Sequence, residues 1–160
     1  MSATPAFAQL PHIAAETPAD AAVLEALVLA AFGPGRFAKT AERLRESASV
    51  AAGFVARENG VAVGSVRLWP ITVGGAPALF LGPIAVAAES RRAGLGAELV
   101  QACLAWAAER EQGVLLVGDP PYFGRFGFEA APGVRLPGPV DPRRVLWRGR
   151  APISGDVRPA

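Results

Sequence analysis

The stretch that decides the fold reads Leu81-Gly-Pro-Ile-Ala-Val-Ala-Ala-Glu-Ser-Arg91-Arg-Ala-Gly94-Leu-Gly96-Ala-Glu-Leu99. It predicts a strand over Ala78 to Val86, a tight turn carrying two arginines, and a helix opened by Gly94-x-Gly96. Inside the strand, Gly82-Pro83 removes a ladder donor and a side chain. A central strand with this pair should bulge and part from a neighbour, freeing backbone polar groups. At the helix N-terminus several amides have no internal partner and the dipole is positive, so glycine there lets an anion approach the backbone. A strand-to-helix turn that needs only backbone freedom would show the same glycines.

Working outward, the helix runs from about Leu95 to Glu111, with Leu95, Leu99, Cys103 and Trp106 on one side and Gly113 closing it. Cys103 belongs to that apolar stripe. On the N-terminal side, Ser49–Arg57 and Val61–Val73 flank Glu58-Asn59-Gly60, whose Asn-Gly pair tolerates positive φ and predicts a hairpin. Arg67 and Trp69 project from one face of its second strand, either lining a pocket or simply covering the sheet. Further upstream, Thr17-Pro18-Ala19-Asp20 predicts a helix start, with Leu24, Leu27, Val28 and Ala31 on one face and Gly33 at the end. Ala8–Ala15, which contains His12, reads as a first strand, and His12 as a structural histidine. A second short helix after Thr40 would bury Leu44.

Downstream, Val114–Val117 is a short buried strand. Asp119-Pro120 caps a brief helix reaching Phe126, and Gly127 ends it. Phe128–Arg148 is expected to form two strands joined by the loop around Pro137–Pro142. Residues 151–160 read as a loose tail behind a single domain over 5–150.

The 160 residues carry one Cys and one His, 51% hydrophobic and 19% charged positions, and a formal charge of +2. One cysteine forms no internal disulfide, and with one histidine it argues against a zinc site. The arginines are scattered, so no basic patch for nucleic acid is expected. No apolar run approaches the roughly 20 residues that cross a bilayer, and no signal-like N-terminus is seen, which points to a cytoplasmic protein without a membrane partner. A Walker loop is excluded because Gly-Lys-Ser/Thr is missing. A dinucleotide fingerprint would need a small residue where Leu99 stands and an acidic one ending the next strand.

Arg91-Arg92-Ala93-Gly94-Leu95-Gly96 resembles the Gln/Arg-x-x-Gly-x-Gly/Ala signature of the GNAT superfamily of acyl-CoA N-acyltransferases. Leu115-Leu-Val-Gly-Asp-Pro-Pro-Tyr122-Phe-Gly-Arg-Phe-Gly-Phe128 is similar to a segment of one bacterial GNAT subgroup that favours Val-Gly-Asp-x-x-Tyr-Tyr/Phe-x-Arg-Phe-Gly-Phe. Shorter likenesses at Phe32–Arg36, Val66–Trp69 and Leu136–Pro139 extend the resemblance over most of the chain.

The resemblance implies a single α/β (mixed α+β) domain. Its twisted mixed sheet would have about six to seven strands, helices on both faces, and splayed fourth and fifth strands that admit a pantetheine arm. It implies acetyl-CoA as cosubstrate and no metal. The backbone of Ile84, Ala85 and Val86 would pair with the pantetheine amides. The turn Arg91, Arg92, Ala93, Gly94, Leu95, Gly96 and Ala97 would hold the pyrophosphate. The acceptor would be a small molecule or exposed amine attacking the acetyl carbonyl directly, and the protein a monomer or homodimer. The family commonly has a Tyr four residues before the Gly of the last Gly-Phe. Phe123 stands there, which leaves the adjacent Tyr122, the only tyrosine, as candidate general acid. Asp119 reads as a cap, and Arg125 as a turn anchor or a solvated charge. Two other classes stay open: an acyl-CoA-binding regulatory module, and a dinucleotide-binding oxidoreductase fragment that would bind NAD(P).

Overall fold

A computed structural model of the protein describes residues 13–32, 44, 49–88, 90 and 94–160. Its sheet is built around the predicted hairpin, β2 (Ala52–Glu58) and β3 (Val61–Val73). Asn59 and Gly60 take φ of 52° and 80°, as a tight turn between right-twisted strands demands. β1 (Ile13–Ala15) adds antiparallel to β2, and β4 (Ala76–Val86) adds antiparallel to β3 through the Gly74-Gly75 turn. β5 (Val114–Val117) lies parallel to β4, after the crossover helix α2 (Leu95–Glu109). The path then continues to β8 (Val145–Arg148) and β6 (Glu129–Ala130), both in antiparallel pairs. That gives the order β1-β2-β3-β4-β5-β8-β6 along one path of the mixed sheet, which with two further strands off that path holds nine strands among the described residues, more than the six to seven expected.

Two elements depart from the expectation. Phe128–Arg148 carries three short strands instead of two, because β7 (Val134–Arg135) forms separately before β8. Residues 151–160 are not a loose tail: Gly155–Pro159 is β9, pairing antiparallel with β3 at Ile71–Val73 and parallel with β7. Val157, 3% exposed, is the apolar residue that anchors it, in a segment otherwise polar or Pro/Gly-rich.

α1 (Ala21–Phe32) follows a 3-10 turn at Pro18–Asp20 and lies against β3 and β4. Its buried stripe is narrower than expected: Leu24 and Val28 are buried, whereas Ala31 is exposed together with Val23, Leu29 and Phe32. Asp20 is itself buried. Its carboxylate accepts from the Thr17 amide and hydroxyl at 2.9 and 3.1 Å and pairs with Arg57. Glu16, just upstream, takes a bidentate pair from Arg67 at 3.0 and 2.6 Å. Both ion pairs tie the start of α1 to β2 and β3. The expected helix after Thr40 lies outside the described residues apart from Leu44, which is fully buried.

Alternation along the strands divides the core between the two sheet faces. Val66, Leu68, Leu79, Leu81, Val114 and Leu116 meet Leu95, Leu99, Cys103 and Leu104 of α2. Trp69, Ile71, Phe80 and Leu115 face the other way, with Leu44, Val134 and Val157. Cys103 is fully buried as expected, and burial pushes its thiol up to about 12.

Candidate functional site

The site begins with a change of phase in β4. Val66 pairs with Ile84 and Leu68 with Leu81, so Gly82 and Pro83 together oppose the single residue Arg67. One extra residue in a strand reverses the alternation beyond it. Before the bulge, the Leu79 amide donates to Gly113 O on the β5 side at 3.0 Å, so Leu79 and Leu81 turn their polar groups toward β5. After it, the Ala87 amide donates to Val63 O at 2.7 Å, which makes Ala87–Val63 and Ala85–Ser65 the hydrogen-bonded pairs of the antiparallel ladder. Ile84 and Val86 therefore turn their backbone groups away from β3.

β5 is not there to meet them. It pairs with β4 only at Leu79↔Val114 and Phe80↔Leu115, and Leu116 and Val117 pair with β8 alone. Beyond Phe80 the two strands part, the cleft that Gly82-Pro83 led us to expect. Of the three strand residues singled out by sequence, Ile84 and Val86 present main chain to this cleft, while Ala85 commits its own to Ser65. The bulge is held from behind, where the Trp69 indole donates to the Gly82 carbonyl at 2.6 Å in a buried hydrogen bond. Sequence alone gave no sign of this contact, because it joins an aromatic to a main-chain oxygen on the next strand. Arg67, once a possible pocket residue, is engaged by Glu16 and lies 5.9 Å from the Trp69 ring centroid.

The second wall is the start of α2. Gly94 sits at its N-cap with φ 78°, a conformation that L side chains adopt at a cost. Among the described residues, the first hydrogen bond of the helix runs from the Glu98 N–H to Gly94 O at 3.1 Å, so the amides of Leu95, Gly96 and Ala97 are the donors at the helix end. Among the described residues, a Cβ at Gly94 would meet nothing within 4 Å, which leaves this end of the helix approachable. Ser90, ahead of the helix, donates to Glu58 Oε2 at 3.1 Å. Arg91, Arg92 and Ala93 lie outside the described residues, as does His12.

The third wall is α3 (Pro120–Gly124). Asp119 caps it, accepting from the Tyr122 amide at 3.3 Å, the role expected for it. The two neighbouring aromatics then diverge. Phe123 turns inward onto Gly118 and packs against the core on the α2 face, with Phe128 at 6.0 Å. Tyr122 turns to α2: its hydroxyl lies 3.5 Å from where a Cβ on Gly96 would be. The half-buried phenol is thus the side chain that the fold brings to the glycine-rich helix end, where Phe123 has no access.

A cleft with unpaired main chain on one side, helix-end amides on another and a phenol over them suits an extended ligand carrying amides and anions. Among the described residues, no group of three or more His, Cys, Asp or Glu could hold a metal, and no helix is long and apolar enough to cross a membrane.

Comparison with known proteins points the same way. The family model "Acetyltransferase (GNAT) family" matches residues 21–125. The uncharacterized N-acetyltransferase YhbS of Escherichia coli K12 is 35% identical over 123 residues, 74% of each chain. A crystal structure of E. coli YhbS in complex with CoA superposes with a TM-score of 0.78 at 30% identity, covering 92% of this chain and 88% of that one. A GNAT family acetyltransferase from Brucella melitensis in complex with acetyl-CoA gives 0.72 at 27% identity, with 93% and 95% covered. The chain is therefore an acetyltransferase enzyme and belongs to the GNAT family.

Proposed function

We propose that this protein transfers the acetyl group of acetyl-CoA to a primary amine, that of a small molecule or another exposed amine, by direct attack within the cleft between β4 and β5. The observation that carries the reading is the pairing of a freed stretch of β4 with the open N-terminus of α2. The pantetheine amides would complete the ladder that β5 abandons, bonding to the main chain of Ile84 and Val86, with Ala85 locking that stretch to β3. The pyrophosphate would sit on the amides of Leu95, Gly96 and Ala97, joined by Arg91, Arg92, Ala93 and Gly94, with the two arginines adding positive charge. The relatives that carry CoA or acetyl-CoA support the choice of ligand.

The amine nitrogen attacks the thioester carbon, forming the new C–N bond and a tetrahedral oxyanion. An amide at the strand break, that of Val86, faces the cleft and would donate to this oxyanion; comparable donors are worth roughly 3 to 4 kcal/mol. Collapse breaks the C–S bond, the thiolate takes a proton from the Tyr122 hydroxyl, and the amine nitrogen gives its own proton to solvent. An attacking amine must be neutral, and with an ordinary pKa near 10.4 few are at pH 7, so turnover should rise with pH over the neutral range. Holding thioester and amine in line supplies much of the remaining acceleration.

The test is to incubate the purified protein with acetyl-CoA and a broad panel of amines while following release of free thiol. Acceptor-dependent thiol release supports the transferase reading. Saturable acetyl-CoA binding without turnover on any amine would leave the chain a binding module and overturn it. Tyr122→Phe should slow turnover strongly and leave acetyl-CoA affinity nearly unchanged; near-normal turnover across pH would assign thiolate protonation to solvent instead.

A further inference from the structure

We infer that Arg125 is a phosphate ligand for coenzyme A, an inference that rests on the reading of the cleft just given. By sequence this residue reads as a turn anchor or a solvated charge. In the structure it is the C-cap of α3, one turn beyond Tyr122. Its guanidinium carbon lies 4.2 Å from the Tyr122 ring centroid and 5.1 Å from that of Phe126, and the two rings are 5.6 Å apart. The head group is thus seated on an aromatic shelf by cation–π attraction, with its in-plane N–H donors at the rim.

What this cation lacks is an acid. Arg57, Arg67, Arg135 and Arg143 each face a carboxylate. Arg125 is exposed, and while its backbone amide donates to the Phe123 carbonyl, its side chain has no carboxylate or hydrogen-bond partner among the described residues. The shelf also places it beside the site. One tyrosine ring touches the end of α2 with its hydroxyl, over Gly96, and carries Arg125 on its face. A planar guanidinium held on the ring whose hydroxyl reaches that helix end is suited to bidentate contact with a phosphate. Coenzyme A offers two such sources, the pyrophosphate and the ribose 3′-phosphate.

The experiment measures calorimetric affinity of wild type, Arg125→Gln and Arg125→Lys for coenzyme A, for dephospho-coenzyme A, which lacks the 3′-phosphate, and for pantetheine, which lacks all phosphate. Circular dichroism and melting temperature confirm that each variant is folded. Arg125→Gln should weaken coenzyme A about ten-fold or more, leave pantetheine unchanged, and be partly rescued by Arg125→Lys. A loss shared by dephospho-coenzyme A assigns the contact to the pyrophosphate, and a loss confined to coenzyme A assigns it to the 3′-phosphate. Unaltered coenzyme A affinity in Arg125→Gln, or an equal loss for pantetheine, overturns the role of Arg125 while leaving the cleft intact. Wild type that binds none of the three refutes the reading of the cleft itself.

Discussion

Trp69→Phe tests what keeps the strand break open. The indole Nε1 donates to the Gly82 carbonyl at 2.6 Å, both residues are buried, and phenylalanine fills most of the same space without a donor. Leaving a buried carbonyl without its partner costs about 1 to 3 kcal/mol. The smaller ring adds roughly 1 kcal/mol through lost contact and residual cavity. The sum of about 2 to 4 kcal/mol corresponds, at about 2 to 4 °C per kcal/mol for a chain of this size, to a fall in Tm of at least about 4 °C. Urea or thermal unfolding measures the stability change. Because the bond fixes Gly82 at the phase reversal, the variant should also bind acetyl-CoA more weakly, so added ligand should raise its Tm less than that of the wild type and widen the gap between them. A loss below about 0.5 kcal/mol, which is ordinary for a surface change, would show that the indole bond does not hold the bulge.

Other consequences follow from the same geometry. A Cβ on Gly53 would collide with Glu16 Oε1, so Gly53→Ala should displace that carboxylate from Arg67 and cost about 1 to 3 kcal/mol; in a Glu16→Ala background most of the cost should vanish, measurable as a double-mutant cycle in urea. The Thr17 backbone amide, ahead of Arg57, holds the Asp20 carboxyl below its usual range. Its stabilisation is present at neutral pH and lost as pH falls through the folded-state value, below about pH 4. Asp20→Asn should accordingly lower the urea midpoint at pH 7 and lose its effect in acid. Burial raises the Cys103 thiol to about 12, so thiol reagents at pH 8 should label native protein negligibly and denatured protein fully.

The elements legible in the sequence are those whose cause is local. Asn59-Gly60 wrote its own hairpin, Val114–Val117 and the α2 stripe followed from apolar pattern, and Gly82-Pro83 announced the bulge through chemistry that no partner strand can repair. β9 was hidden because Gly155–Pro159 has one buried apolar residue and borrows its order from β3, more than eighty residues upstream. The Glu16–Arg67 and Asp20–Arg57 pairs span 51 and 37 residues and were invisible for the same reason. At the site, sequence named the glycines and Tyr122 but not which way adjacent side chains would turn. That depends on Gly118, where only the absence of a side chain lets the Phe123 ring enter and sends Tyr122 toward Gly96. It likewise named Ile84, Ala85 and Val86 as a block, whereas the phase of the ladder separates the two that face the cleft from the one that does not.

The most direct measurement is calorimetric titration of acetyl-CoA into wild type and Gly96→Asp, a change that puts a carboxylate under the Tyr122 hydroxyl at the amide-rich end of α2. Saturable one-to-one heat for wild type and none for the folded variant is the predicted outcome. Equal affinities for the two proteins, or a folded wild type that gives no heat, would contradict the placement of the ligand in the cleft between β4 and β5.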